Sequence, residues 1–439
     1  MNRQILIIFL SSLITPLIAA TKVHEYHLDN GLQVIVKPDH RAPLVVAQIW
    51  YKVGSSYEET GSTGLSHVLE HMLFKGTKQH GPGEYSRQIA ALGGTENAFT
   101  GRDYTAYFAT LAAEHLEPML ALEADRMQHL VLQPAEFAKE LEVVKEERRL
   151  RTDDSPTGRT YEQLQAVAWR ASPYRNPVIG WMQDLNQMKL ADLEVWYQRW
   201  YAPNNAVLVV VGDVQPEAVL ALAKRYFGPI PRRTVIPLKL QQEPKQHGIT
   251  RVTVRTPAQQ PYLMLGYKVP VIGKTPEDWE PYALAILASL LDGGASARLP
   301  GELVRKQRIA ASIGANYDPY SRLANLFYFS GTPTDEHTIA DLQQALFQQI
   351  TRLQTDLLTP AELTRVINQA VAAKVYEQDS LFYQAMQIGL LATIGLDWRL
   401  STEEVARLRA VTPEQVRTVA QRYLIENNLT IATLEPTTP

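Results

Sequence analysis

Apolar and polar side chains alternate in two short runs soon after position 22. Residues 24–28 and 32–37 are two such runs around Asn30-Gly31, a dipeptide suited to a tight turn, which predicts a strand hairpin. Residues 45–53 (Val-Val-Ala-Gln-Ile-Trp-Tyr-Lys-Val) are a richer strand. After a polar loop the period lengthens. Val68, Leu69, Met72 and Leu73 recur at helical spacing and stop at Gly76-Thr77, which predicts a short amphipathic helix. A second helix is expected over 85–92, closed by Gly93-Gly94. Period two then returns over 95–100 and 103–109. Helices over 114–130, 134–151, 161–169 and 192–201 precede a Val-rich strand at 206–211 and a helix at 216–227.

Residues 231–247 lose all periodicity and carry three prolines among basic and polar residues, the character of a linker. The order of elements then starts again. Strands are expected at 251–255, 262–268, 311–317, 326–330 and 429–434. Helices are expected at 281–291, 298–308, 338–353, 360–377 and 413–423. The two halves end alike: Arg199-Trp200-Tyr201 leads through Asn205 into one strand, and Gln421-Arg422-Tyr423 leads through Asn428 into another. The chain therefore reads as two α+β copies, residues 21–230 and 248–439, joined by the 231–247 linker.

Residues 1–20 differ from the rest. Arg3 precedes an apolar run ending at Ala19-Ala20, the order of a secretory signal, and Ser11, Ser12 and Pro16 interrupt the run where a membrane anchor would continue. The expectation is export, and the periplasm if the source is Gram-negative. Composition adds exclusions. A formal net charge of -3 over 439 residues gives no electrostatic footprint for nucleic acid. Cysteine is absent, so disulfides and thiolate metal ligands are excluded.

The candidate chemistry lies on the first predicted helix. His67 and His71 are i and i+4 and leave the same face, which suits them to hold one metal ion. Glu70 lies at the edge of that face, where a carboxylate can take a proton from water. The order H-x-x-E-H is that of a class of zinc peptidases. A catalytic zinc takes three protein ligands, and without cysteine the third is Asp, Glu or His from another helix. The helix at 134–151 carries Glu140, Glu142, Glu146 and Glu147. Glu140 and Glu147 share a face, whereas Glu146 and Glu147 diverge by about 100° and cannot both reach one metal. His80, His115 and His129 lack partners at ligand spacing and read as surface residues.

Together with Gly93-Gly94-Thr95-Glu96-Asn97-Ala98-Phe99-Thr100 and Asp103-Tyr104-Thr105, these motifs resemble the pitrilysin/insulinase (M16) family of zinc peptidases. The likeness covers nearly the whole chain after residue 20 and is to the short bacterial type, similar to the mitochondrial processing peptidase beta subunit. The resemblance implies a fold of two homologous α/β-roll domains, each a mostly antiparallel sheet packed with helices, of the LuxS/MPP-like metallohydrolase type. It implies one zinc ion per chain on His67, His71 and Glu147, with Glu140 behind the ligands orienting one of them. Glu70 would be the general base, and Asn97, Ala98 and Phe99 the strand to which a peptide adds. The function implied is a zinc-dependent endopeptidase acting on peptides or unfolded segments in a closed chamber. The alternative is a structural or chaperone-like subunit of the same fold, which has no need of His67, Glu70, His71 and Glu147 together.

The second half departs from the family pattern. Members complete in one chain carry an Arg and a Tyr on a pattern like L-R-x-x-x-x-L-x-Y. Here Val304 and Ala311 occupy those positions, with Arg305 one residue off. The second half also lacks H-x-x-E-H. This resembles the zinc-bearing subunit of two-chain members, so a heterodimer with a homologous chain supplying the Arg/Tyr pair is expected. The alternative is a homodimer in which Tyr317 or Arg298 substitutes.

Overall fold

The computed structural model describes residues 22–236, 238–239, 242–275 and 278–438; the segment read as a signal, residues 1–20, lies outside them. Two mixed sheets carry the fold. The first contains β1 (His24–His27), β2 (Gln33–Pro38), β3 (Leu44–Tyr51), β4 (Thr95–Thr100), β5 (Thr105–Ala112) and β6 (Ala206–Gly212), in the order β1-β2-β6-β3-β5-β4. The second contains β7 (Thr250–Pro257), β8 (Tyr262–Val269), β9 (Ala310–Asn316), β10 (Asn325–Pro333) and β11 (Leu429–Thr437), in the order β7-β11-β8-β10-β9. In both, a late strand inserts parallel to the first member, as in the β2/β6 and β7/β11 pairs, and every other pairing is antiparallel. Apart from β1, the two sheets therefore share one topology, and the two-copy α+β expectation holds.

Each half keeps its own apolar core, one containing Val34, Ile49, Leu69 and Leu208, the other Leu265, Leu287, Phe327 and Ile431. The opposite faces are covered by an exchange of helices. The helix Pro156–Ala168 leaves the first half and packs on β7, β8 and β11, with Leu164 against Met264 and Ala432. The helix Leu381–Thr393 returns from the second half to β3 and β6, where Ala385, Ile388 and Ala392 meet Trp50, Val207 and Val209. At Gly389 an added Cβ would lie 2.2 Å from the Trp50 indole nitrogen, so this crossing requires glycine.

The periodicity reading missed the helices Leu381–Thr393, Leu400–Arg409 and Met182–Gln187. The first is apolar on nearly every side because it is sandwiched between units, and a helix without a polar stripe has no 3.6-residue signature. The strand expected at 103 begins at Thr105, since the Gly101 N–H donates to the Tyr104 carbonyl at 2.8 Å and closes a turn there. The helix expected to reach 151 ends at Arg148 and continues as a π-helical turn, Arg149–Asp153.

Candidate metal and peptide site

The helix carrying the H-x-x-E-H residues spans Leu65–Met72 and is entered through Gly64 at φ 92, a left-handed conformation that favours glycine. Its orphan N–H groups are met by Glu58, whose two carboxylate oxygens accept from Gly64 N and Ser66 N, each at 2.7 Å. Burial pushes the Glu58 carboxyl up to about 7 although the Ser66 and Gly64 amides pull it down. Val68, Leu69 and Met72 are fully buried, so the opposite face holds His67, Glu70 and His71 at the cavity wall.

The helix Pro134–Arg148 packs on this one and settles which acid approaches the imidazoles. One Glu147 oxygen, Oε2, lies 3.7 Å from His67 Nε2 and 3.6 Å from His71 Nε2. Ligand atoms around a tetrahedral ion at 2.0–2.1 Å would stand roughly 3.3–3.5 Å apart, so these three atoms fit one zinc ion with a shift of a few tenths of an ångström. Among the described residues, His67, His71 and Glu147 are the group of three ligand-type side chains close enough to share an ion. Glu142 pairs with Lys145, and Glu146 with Arg149, on the outside of the helix.

The surroundings orient the donors. His71 Nδ1 lies 3.2 Å from Glu140 Oε2, and Glu140 is itself held by Lys75 at 2.7 Å. A carboxylate at Nδ1 favours the proton there and leaves the Nε2 lone pair for the cavity. Burial, with His71 and Arg151 nearby, pushes the His67 imidazole down to about 3, so it is neutral and able to donate a lone pair. Arg151 takes the other Glu147 oxygen at 2.5 Å. The Thr100 hydroxyl donates to Glu70 Oε2 at 2.5 Å and ties that carboxyl to the end of β4. Burial raises the Glu70 pKa, against the pull of Thr100 and His71.

These groups open into a cavity of about 930 Å³ lined from both halves. Asn97, Ala98 and Phe99 all line it, on β4, the last strand of its sheet, whose outer edge is unpaired among the described residues. The Phe99 ring packs on Trp50 and Tyr104, and the Asn97 side-chain oxygen accepts from Ala98 N at 2.8 Å. Tyr317 and Arg298, offered as substitutes for the missing Arg/Tyr pair, and the displaced Arg305 lie elsewhere. Tyr317 donates to the Pro270 carbonyl at 2.6 Å, Arg298 is paired twice with Glu362, and Arg305 donates to the Ala295 carbonyl. None of the three lines the cavity, and their donors are already engaged, so neither Tyr317 nor Arg298 takes the pair's place within one chain. Glu58, Thr100, Arg102 and Tyr161 were missed in sequence: the Thr100–Glu70 and Arg102–Tyr161 contacts cross 30 and 59 positions, and the Glu58 cap forms within a polar loop that has no period.

Comparison with known proteins bears on the family and the fold. Residues 33–181 match the family model described as insulinase (peptidase family M16), and residues 187–370 match the one described as the peptidase M16 inactive domain. The zinc protease PqqE of Helicobacter pylori is 35% identical over 348 residues, 78% of this chain and 77% of that protein. The uncharacterized zinc protease YmxG of Bacillus subtilis is 24% identical over 94% of this chain and 98% of its own length. A crystal structure of a protease from Helicobacter pylori superposes with a TM-score of 0.90 at 30% identity, over 95% of this chain and all of that one.

Proposed function

The chain belongs to the insulinase family of peptidases, M16, and from that premise we propose that it is a zinc-dependent endopeptidase acting on peptides or unfolded segments in a closed chamber. The observation that carries this is the approach of one Glu147 oxygen to both imidazole Nε2 atoms, with the Glu70 carboxyl beside them. In this reading residues 21–230 form the zinc-binding domain, 231–247 the linker and 248–439 a homologous domain without a zinc motif. Residues 1–20 direct export.

A zinc ion held by His67, His71 and Glu147 would polarise the scissile carbonyl and lower the pKa of water. The chain's own groups supply the rest. Glu70 takes a proton from the attacking water and returns it to the leaving amine; its burial strengthens its hold on that proton, and Thr100 keeps the carboxyl aligned. Glu140 holds His71 in one tautomer. A peptide pairs its backbone with the free edge of β4 along Asn97, Ala98 and Phe99, as an added strand. With Val304 and Ala311 lacking the needed groups, a homologous partner chain supplies an Arg/Tyr pair, and a homodimer is the second arrangement.

Purified protein should carry zinc and cleave unstructured peptides, lose both on exhaustive chelation, and regain both when zinc is returned. Turnover that survives complete zinc removal would end this reading. Mixing the chain with a homologous chain from a neighbouring gene should raise turnover; equal rates alone and mixed would remove the heterodimer. Glu140→Gln should weaken zinc binding by about 10–100-fold, measured by competition with a chromophoric chelator, and an unchanged affinity would assign Glu140 to surface pairing only.

A further inference from the structure

Arg102 stands at the tip of the turn between β4 and β5, two positions past Thr100, and lines the same cavity as His67, Glu70, His71 and Glu147. Its guanidinium makes no ion pair with a carboxylate among the described residues. Instead it donates to the Tyr161 hydroxyl oxygen at 3.0 Å and lies 5.0 Å over the Tyr174 ring. The Tyr161 oxygen also accepts from the Gln165 amide at 3.0 Å. Trp169 Nε1 donates to the Gln165 oxygen at 3.0 Å, which turns that amide's NH₂ toward Tyr161 and Tyr328. The Tyr328 hydroxyl also bonds both Tyr161 and Arg102, and of these two tyrosines Tyr161 is the one that lines the cavity.

The neighbouring acids are committed or withdrawn. Asp103 is taken by Ser56 at 2.7 Å, by Tyr174, and by Arg322 at 3.0 and 3.3 Å. Asp318 accepts from Tyr320 N at 2.8 Å; burial pushes its carboxyl up, the Arg102 charge pulls it down, and the two groups make no ion-pair contact. A guanidinium among aromatic rings with no carboxylate in direct contact is costly to keep, and here it is kept beside the place where a peptide would lie.

We propose that Arg102, with the Tyr161 hydroxyl, is a carboxylate-binding subsite of the peptide cleft. It takes an acidic side chain, or the peptide's own C-terminal carboxylate, close to the scissile bond. At about 3.3 Å per residue along an added strand, two positions beyond Thr100 corresponds to a site within a few residues of the bond next to Glu70. The inference rests on the peptidase reading, and its test is built so that the two can fail separately.

The test measures binding of fluorescent peptides to full-length Glu70→Gln protein loaded with zinc. A peptide series carries one Glu or one Gln at successive positions, each with a free or an amidated C-terminus. One position, or the free terminus, should tighten binding by about tenfold or more over its neutral counterpart. A preference for Glu at an internal position marks a side-chain carboxylate, and a preference for the free acid marks the chain end. In the same background Arg102→Met should abolish the ratio, and Arg102→Lys should keep part of it. The ratio is taken within one protein sample, so a smaller folded fraction does not move it, and the wild-type Arg102 scan tests the idea even if Arg102→Met fails to fold. Ratios within about twofold at every position and terminus, or a preference that persists in Arg102→Met, would overturn the subsite. Wild-type protein that cleaves no peptide of the series, while the binding ratio holds, would instead overturn the peptidase reading alone.

Discussion

Glu70→Gln should leave zinc content at one ion per chain and lower peptide turnover by roughly 10²–10⁴-fold. The amide has the carboxylate's shape and can still accept from Thr100, which holds Oε2 at 2.5 Å. His67, His71 and Glu147 are untouched, so metal affinity has no reason to fall. What is lost is the ability to take a proton and give it back. Metal analysis and initial rates on a quenched peptide, made on one preparation, check both halves of the expectation. A variant with full zinc and full turnover would remove Glu70 from the role of base.

Asp103→Ala should destabilise the protein by about 3–5 kcal/mol, the usual cost of breaking a buried ion pair from one side. Asp103 is buried and is the meeting point of both halves: Ser56 and Tyr174 reach it from the first, and Arg322 from the second. Arg322 also lies 4.3 Å over the Tyr57 ring and donates to Ser56 Oγ at 2.8 Å. Removing the carboxylate strands that guanidinium, which makes no other ion pair among the described residues. Asp103→Ala combined with Arg322→Met should recover much of the loss, because the uncompensated charge leaves too. Denaturant midpoints of the single and double variants decide it. A single variant within about 1 kcal/mol of wild type, in the range of an exposed pair, would show that this contact does not hold the halves together.

The elements with the sharpest local patterns were also the most legible. The Leu65–Met72 helix and the strands β2, β3, β6, β8 and β10 each announce themselves in a few residues. The missed helix Leu381–Thr393 shows where that signal fails. Its apolar residues face two directions because one side meets β3 and β6, and no polar stripe remains to report a helical period. The Asp103 clasp was hidden for a different reason: its residues are separated by 47, 71 and 219 positions.

Sequence alone determined the His67/His71 pair and the adjacent Glu70, since side chains three and four apart on a helix share a face whatever the rest of the chain does. It also determined the doubled α+β order, because each strand and helix records locally which of its faces is apolar. It left Glu140 and Glu147 on one face with different roles suggested only by resemblance. Tertiary structure separated them, bringing Glu147 to both Nε2 atoms and Glu140 to His71 Nδ1. It also set Arg102 among Tyr161, Gln165 and Tyr174, and carried one helix of each half onto the other's sheet. Such choices depend on which surfaces meet after chain crossings of many tens to hundreds of residues, and a local period of two or 3.6 holds no record of that partner.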